Sequence, residues 1–214
     1  MIDDTIYLLY TAFDGVNLPR VAATSISVKN FLAKNWRWTK PVIISPFGVD
    51  DKDAFLFPKK VGKNYLVFHR VGLDICVDPI SSLDFTPECI KTITPIVSPR
   101  KFMWDSERIG INTPPIESDN GWIVLYHGIS KNHHTYRVGA ILLDKKDPTK
   151  VLARTTAPIF EPELPYEKEG LVPNVVFPCG VVVRDSVVFI YYGAADKVIG
   201  LAKIKLSDLE KMFE

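Results

Sequence analysis

Long apolar runs, paired cysteines and a surplus of either charge are all missing from this sequence, and each absence excludes a class of protein. The longest apolar stretches, such as Val181–Val183 and Val187–Tyr192, fall far short of the ~20 residues a membrane-spanning helix needs. The start, Met1-Ile2-Asp3-Asp4, is acidic where a secretory signal would be basic, so a soluble, cytoplasmic protein with no membrane partner is expected. Cys76, Cys89 and Cys179 are odd in number and far apart, and no CxxC pair exists, which argues against a zinc ribbon or a disulfide framework. Lys and Arg number 26 against 25 Asp and Glu, a net charge of +1, so no overall field steers the protein to nucleic acid. No basic stripe is interleaved with aromatics, so no nucleic-acid partner is expected. No glycine-rich loop precedes a helix either, which leaves nucleotide binding without support. Any anion site must be local, built from a few placed cations.

What is present reads as sheet. Short runs of Val, Ile, Tyr and Phe, bounded by Gly, Pro, Asn and Asp, predict strands at Thr5–Ala12, Arg20–Val28, Tyr65–Arg70, Gly121–Gly128, Tyr136–Leu143, Val181–Arg184, Ser186–Gly193 and Val198–Ile204. Helical periodicity is confined to Val28–Ala33 and the end of the chain, where Ser207 is placed to cap a short helix with Glu210 three residues on. A parallel sheet with crossover helices is disfavoured.

A weak repeat orders these strands. Ile6–Ala12, Tyr65–Arg70, Trp122–Gly128 and Val188–Gly193 resemble one another at a spacing of roughly sixty residues, and each is followed by a further strand. Each run ends in an aromatic, His or polar cluster. A repeat of this length holding several antiparallel strands is what a propeller blade looks like, with the polar ends converging on a central funnel. An irregular β-sandwich, in which the similarity reflects strand composition alone, is the competing architecture. Four repeats are counted, and the first lacks the turn and outer strand that normally open a blade, so an upstream segment is expected before Met1.

The polar ends carry the candidate chemistry. Asp51-Lys52-Asp53 stands directly before an apolar strand, and His69-Arg70 closes the next one; a solvated turn accounts for Lys59 and Lys60 but less well for Arg70, which follows a tight apolar run at the polar end of its repeat. Trp104-Asp105-Ser106-Glu107-Arg108-Ile109-Gly110 places an Arg among acids. That arrangement suits either a surface ion pair of little worth or an anion clamp, since guanidinium offers a planar donor fork. His127 follows a buried-looking strand and Tyr136 begins the next. His133-His134 reads as an exposed turn, and no His pair shows metal-ligand spacing, so no metal site is expected. Tyr166-Glu167 and Tyr191-Tyr192 with Asp196 set carboxylates beside aromatics, a combination that suits sugars or plain structural roles equally well.

These residues resemble a known family. Asp51-Lys52-Asp53-Ala54-x-x-Phe57-Pro58, His69-Arg70, Trp104-x-Ser106-x-x-Ile109-Gly110, Pro114-Pro115, Gly121-Trp122-x-x-x-Tyr126-His127-Gly128, Leu143-Asp144-x-x-Asp147-Pro148, Tyr166-Glu167, Val175–Gly180 and Tyr192–Asp196 look like glycoside hydrolase family 130, the β-mannoside phosphorylases and related mannosidases, along essentially the whole chain. The resemblance implies an all-β, five-bladed propeller, here incomplete at the N-terminus with about four blades, as a single domain over residues 1–214 that lacks the first-blade segment. It implies inverting phosphorolysis of terminal β-mannosides to α-mannose 1-phosphate. Inorganic phosphate is the co-substrate and no further cofactor is needed. Phosphate binding falls to the positions of Lys52, Arg70, Arg108, His127 and Tyr136, and sugar contacts to Asp53, Glu167 and Asp196. Phosphate is already anionic, so it needs placed cations rather than a base.

The chain departs from the family pattern at its start. The family's Glu-Asp-Pro-Arg type motif, whose Asp is the general acid, would fall before Met1, so no catalytic acid is assigned within the sequence. A missing acid, at ~10²–10⁴-fold, predicts weak or no turnover for the chain as it stands. An open propeller edge also invites pairing with another copy. Three readings stay open: a shortened phosphorylase, a glycan- or phosphate-binding form that is non-catalytic or completed by another subunit, and a β-mannoside hydrolase.

Overall fold

The structure, a computed structural model, describes residues 1–111, 113–130 and 134–213. In chain order its strands are β1 (Thr5–Ala12), β2 (Arg20–Ser27), β3 (Val42–Ile43), β4 (Asp51–Leu56), β5 (Tyr65–Val71), β6 (Asp74–Ile80), β7 (Pro95–Val97), β8 (Arg108–Ile111), β9 (Ile116–Glu117), β10 (Trp122–Ile129), β11 (Tyr136–Leu143), β12 (Val151–Arg154), β13 (Val176–Arg184), β14 (Val187–Ala194) and β15 (Val198–Lys205). Three short helices join them: α1 (Val28–Leu32), α2 (Pro165–Lys168) and α3 (Leu206–Glu210). The expected all-β class is what the structure has. No helix among the described residues is long and apolar enough to cross a membrane.

The strands form four sheets, ordered β1-β2-β3, β4-β5-β6-β7, β12-β11-β10-β8 with β9 also on β10, and β13-β14-β15. Each run of the sequence repeat supplies one strand to one sheet. These are β1, β5, β10 and β14, each hydrogen-bonded to the strand that follows it. The similarity therefore records a recurring hairpin and not composition alone.

Two compact units divide the chain. The first, Met1–Gly72 with Cys76–Pro95, is built on Val21, Ala23, Ile44, Val67, Ile80 and Ile90. Along β4 the buried positions alternate as the period of a strand requires, but they are Asp51, Asp53 and Phe55. The second, Leu73–Ile75 with Ile96–Glu214, is built on Ile123, Leu125, Val138, Ala140, Val188 and Ile190, closed by Leu209 of α3. Strand β10 is buried at every position, which accounts for its nearly continuous apolar sequence Trp122–Tyr126.

Several elements differ from the sequence reading. The apolar strand expected after Asp51-Lys52-Asp53 begins three residues earlier, at Asp51, because the buried partners described below absorb the charges of the two aspartates. Strand β13 begins at Val176, five residues before the apolar run, and passes Phe177–Gly180 with a register shift between Pro178 and Gly180. The bulge accommodates a proline that cannot donate to the ladder. Ser207 is not a cap: α3 starts at Leu206 with Lys205 at its N-cap, since Lys205 is still paired with Val187 in the sheet. Ser27, by contrast, does cap α1, accepting from Asn30 N. His133 lies outside the described residues. His134 is exposed, with Nδ1 3.8 Å from Glu107 Oε2.

Candidate functional site

In the first unit, β4 and β5 bring three of the predicted site residues together. Lys52 and Arg70 are register partners, and the ladder shifts between Lys52 and Phe55. Asp53 sits in that bulge at φ 54. The irregularity lets its carboxylate meet the Arg70 guanidinium: Nε donates to Asp53 Oδ2 at 2.7 Å and Nη1 to Gly72 O at 2.7 Å. The Arg70 side chain is 5% exposed. These two bonds use two of the five N–H groups of its fork. Lys52 is half-buried, its Nζ 3.8 Å from Asp50 Oδ1. Lys59 and Lys60 are exposed, as the sequence suggests.

Beneath this group lies a network that sequence reasoning missed. His69 is fully buried, with Nδ1 2.8 Å from Asp51 Oδ1 and Nε2 2.9 Å from Asp78 Oδ2. Asp78 also accepts from the hydroxyls of Thr92 and Thr94. A neutral imidazole has one N–H and could serve only one carboxylate; the cation serves both. Burial disfavours that charge, but the bonds to Asp51 and Asp78 outweigh it and push the His69 pKa up to about 9. Burial also opposes ionisation of Asp78, and its bonds from His69 and the two threonines bring its pKa below the ordinary value.

In the second unit a row crosses three strands. Arg108 of β8 and Tyr136 of β11 both pair with Ile129 of β10. His127, two residues before Ile129, projects to the same face. Arg108 Nη2 donates to Tyr136 Oη at 3.1 Å. His127 is 2% exposed. Its ring packs 4.3 Å from that of Phe177 and 5.8 Å from that of Tyr136, centroid to centroid. A guanidinium, a phenol and an imidazole thus share one patch, held by register rather than by loops. Such a patch offers several N–H and O–H donors to one small oxyanion.

The opposite face of this sheet carries a second network that the sequence did not reveal. Asp105, fully buried, accepts from Arg100 Nη2 at 2.8 Å, Arg154 Nη2 at 2.5 Å and Tyr126 Oη at 2.7 Å. Burial first, and the Asp105 charge after it, raise the Tyr126 pKa far above the phenol range, so it stays a donor. The charged residues around Arg108 therefore divide between two faces, and Asp105 does not pair with Arg108.

Glu167 lies in α2 and Asp196 in the turn after β14. Glu167 is 1% exposed and serves α2, where Oε2 accepts from the backbone N–H of Glu163 and Leu164 at 2.7 and 2.8 Å. Its Oε1 accepts from Tyr192 Oη at 2.6 Å. Burial opposes its charge, yet these bonds hold its pKa below the ordinary value. Asp196 is exposed in the turn between β14 and β15, where both it and Ala195 have positive φ. No group of His, Cys, Asp and Glu among the described residues could hold a metal ion.

Comparison with known proteins gives one consistent result. The family model described as beta-1,4-mannooligosaccharide phosphorylase matches residues 1–214. A 1,2-beta-oligomannan phosphorylase of Thermoanaerobacter sp. strain X514 is 39% identical over 209 residues, 98% of this chain and 67% of the relative. A beta-1,2-mannobiose phosphorylase of the same strain is 40% identical over 204 residues, 95% of this chain and 64% of the relative. The solved beta-1,2-mannobiose phosphorylase of Listeria innocua, in complex with beta-1,2-mannobiose, superimposes with a TM-score of 0.84 at 30% identity. That match covers 100% of this chain and 58% of the solved one, so the chain spans about two thirds or less of these relatives.

Proposed function

Since the chain belongs to glycoside hydrolase family 130, we propose that its chemistry is inverting phosphorolysis of a β-mannoside. A phosphate oxygen attacks the anomeric carbon from the face opposite the glycosidic oxygen. The C1–O bond breaks, the leaving oxygen gains a proton that is balanced by the one that hydrogen phosphate gives up, and α-mannose 1-phosphate and a shortened saccharide result. The substrates are inorganic phosphate and a mannose-containing oligosaccharide.

The observation that carries this reading is the Arg108–Tyr136–His127 patch. Its donors are fixed before any ligand arrives, which is what in-line placement of a weak, highly solvated nucleophile requires. We assign these three residues to phosphate; the family pattern alone assigns the same role to Lys52 and Arg70. Asp53 and Asp196 are assigned to sugar hydroxyls, and Glu167 to the same end through the α2 turn that it holds.

The test pairs turnover with binding. The protein is incubated with β-1,2-mannobiose with and without phosphate, and sugar phosphate and free mannose are quantified; phosphate binding is followed by calorimetry in the wild type and in Arg108→Ala. Turnover by the chain as it stands should be weak or nil, since no general acid is assigned among its residues, and whatever mannose 1-phosphate forms should require phosphate. Loss of one charge-assisted contact should weaken phosphate binding on the order of tenfold. Mannose release that ignores phosphate would make the protein a hydrolase, and unchanged phosphate affinity in Arg108→Ala would remove that residue from the site.

A further inference from the structure

On the far face of the sheet that carries Arg108, Tyr136 and His127 lies a cavity of about 430 Å³, bordered by Phe102, Trp104, Ser130, Arg137 and Glu161 among others. Its size falls in the ~300–1,000 Å³ range of small-molecule sites. We propose that this cavity binds a neutral saccharide, one sugar or two, with the aromatic rings against the C–H faces and the Arg137–Glu161 pair on the hydroxyls.

The wall is built, not incidental. Trp104 lies flat against the sheet, stacked on Tyr126 with ring centroids 5.4 Å apart, and its Nε1 donates to Thr156 O at 3.0 Å. Two glycines make room for it. A Cβ at Gly128 would stand 2.7 Å from Trp104 Cζ3, and one at Gly139 would stand 2.8 Å from Trp104 Cη2. The indole is thus held in one orientation before any ligand binds, which lowers the entropic cost of binding. Phe102 is 100% exposed and held at φ 65, an unusual backbone for a bulky apolar residue.

The polar groups select for a neutral, hydroxyl-rich ligand. Arg137 Nε donates to Glu161 Oε2 at 2.7 Å, so the pair carries no net charge and favours neither anion nor cation. It still presents further N–H donors and carboxylate lone pairs, the matched set that vicinal hydroxyls require. Ser130 is 7% exposed, and its Oγ has no hydrogen-bond partner among the described residues. A buried hydroxyl in that position is an open invitation to a ligand hydroxyl. The choice of a mannoside as the probe rests on the proposed function; the cavity's preference for a neutral sugar does not.

Calorimetric titration with β-1,2-mannobiose and, separately, with cellobiose tests the assignment in the wild type, Phe102→Ala, Glu161→Gln and Arg108→Ala. Phe102 and Glu161 are exposed, so both variants should fold, and thermal melts verify it. Saccharide affinity should fall on the order of tenfold in Phe102→Ala and in Glu161→Gln and persist in Arg108→Ala. Cellobiose binding that shows the same variant pattern while mannobiose does not bind would sustain the cavity and overturn the mannoside reading. Saccharide affinity that is indifferent to both cavity variants, or no binding of either sugar at millimolar concentration, would overturn the cavity assignment.

Discussion

Raising the pH from about 6 to about 9.5 should strip the proton that His69 holds between Asp51 and Asp78 and weaken the first unit by about 3 kcal/mol. The magnitude follows from the geometry. Both ring nitrogens lie within hydrogen-bond reach of a carboxylate, and none of the three side chains is exposed. An imidazole that titrates at about 9 in the fold and at 6.5 when free has its charged form favoured by about 1.4 kcal/mol for each tenfold difference. Because the folded pKa is raised, the contribution is complete below pH 6.5 and declines as pH climbs through about 9. Asp78 acts in the opposite window: its lowered pKa adds stability above the free value of 3.8 that disappears as acid protonates it. Urea unfolding at several pH values, for the wild type and for His69→Gln, isolates the effect because every other titration is common to both. The wild type should lose about 3 kcal/mol more than the variant across the alkaline range. Parallel pH profiles for the two proteins would show that His69 is neutral in the fold and that one of its carboxylates carries the proton instead.

Other outcomes follow from the same physics. Asp105→Asn leaves Arg100 and Arg154 facing a neutral amide and should destabilise the second unit by roughly 3 kcal/mol in urea, since an uncompensated buried charge is costly. Gly128→Ala places a methyl group 2.6 Å from Asp105 Cβ and 2.7 Å from Trp104; a loss of about 1–3 kcal/mol and a shifted tryptophan emission are expected, read by denaturation and fluorescence. Arg70→Ala should lower the thermal midpoint as well as any phosphate affinity, because the buried Asp53 loses the 2.7 Å bond from Arg70 Nε, whereas Arg108→Ala should leave the midpoint nearly unchanged.

How much of the site was legible depended on whether its parts are neighbours in sequence or in space. Strand periodicity is local, so β1, β11 and most of β10, β14 and β15 were readable within a residue or two. That Asp51–Asp53 opens a strand was not legible locally, because acidic residues usually mark turns; their neutralising partners, His69 for Asp51 and Arg70 for Asp53, lie 18 and 17 positions downstream. Arg108, His127 and Tyr136 could be named from the family pattern, but their common face is a matter of register across β8, β10 and β11. Glu167 could be named too, yet nothing in its neighbourhood announced that Tyr192 and two backbone amides would engage both its oxygens. The Asp105 network was hidden for the same reason, since Arg154 comes 49 residues later.

By itself the sequence determined the all-β class, the recurrence of one hairpin per sheet and the family, because these depend on side-chain period, turn residues and the order of motifs along the chain. Tertiary structure alone decided which charges are neutralised in the interior, which donors remain for a ligand, and that one sheet carries a cationic patch on one face and a sugar-sized cavity on the other. Those properties depend on pairing between strands far apart in the chain. Charge is tolerated inside a protein only where such pairing supplies the partner.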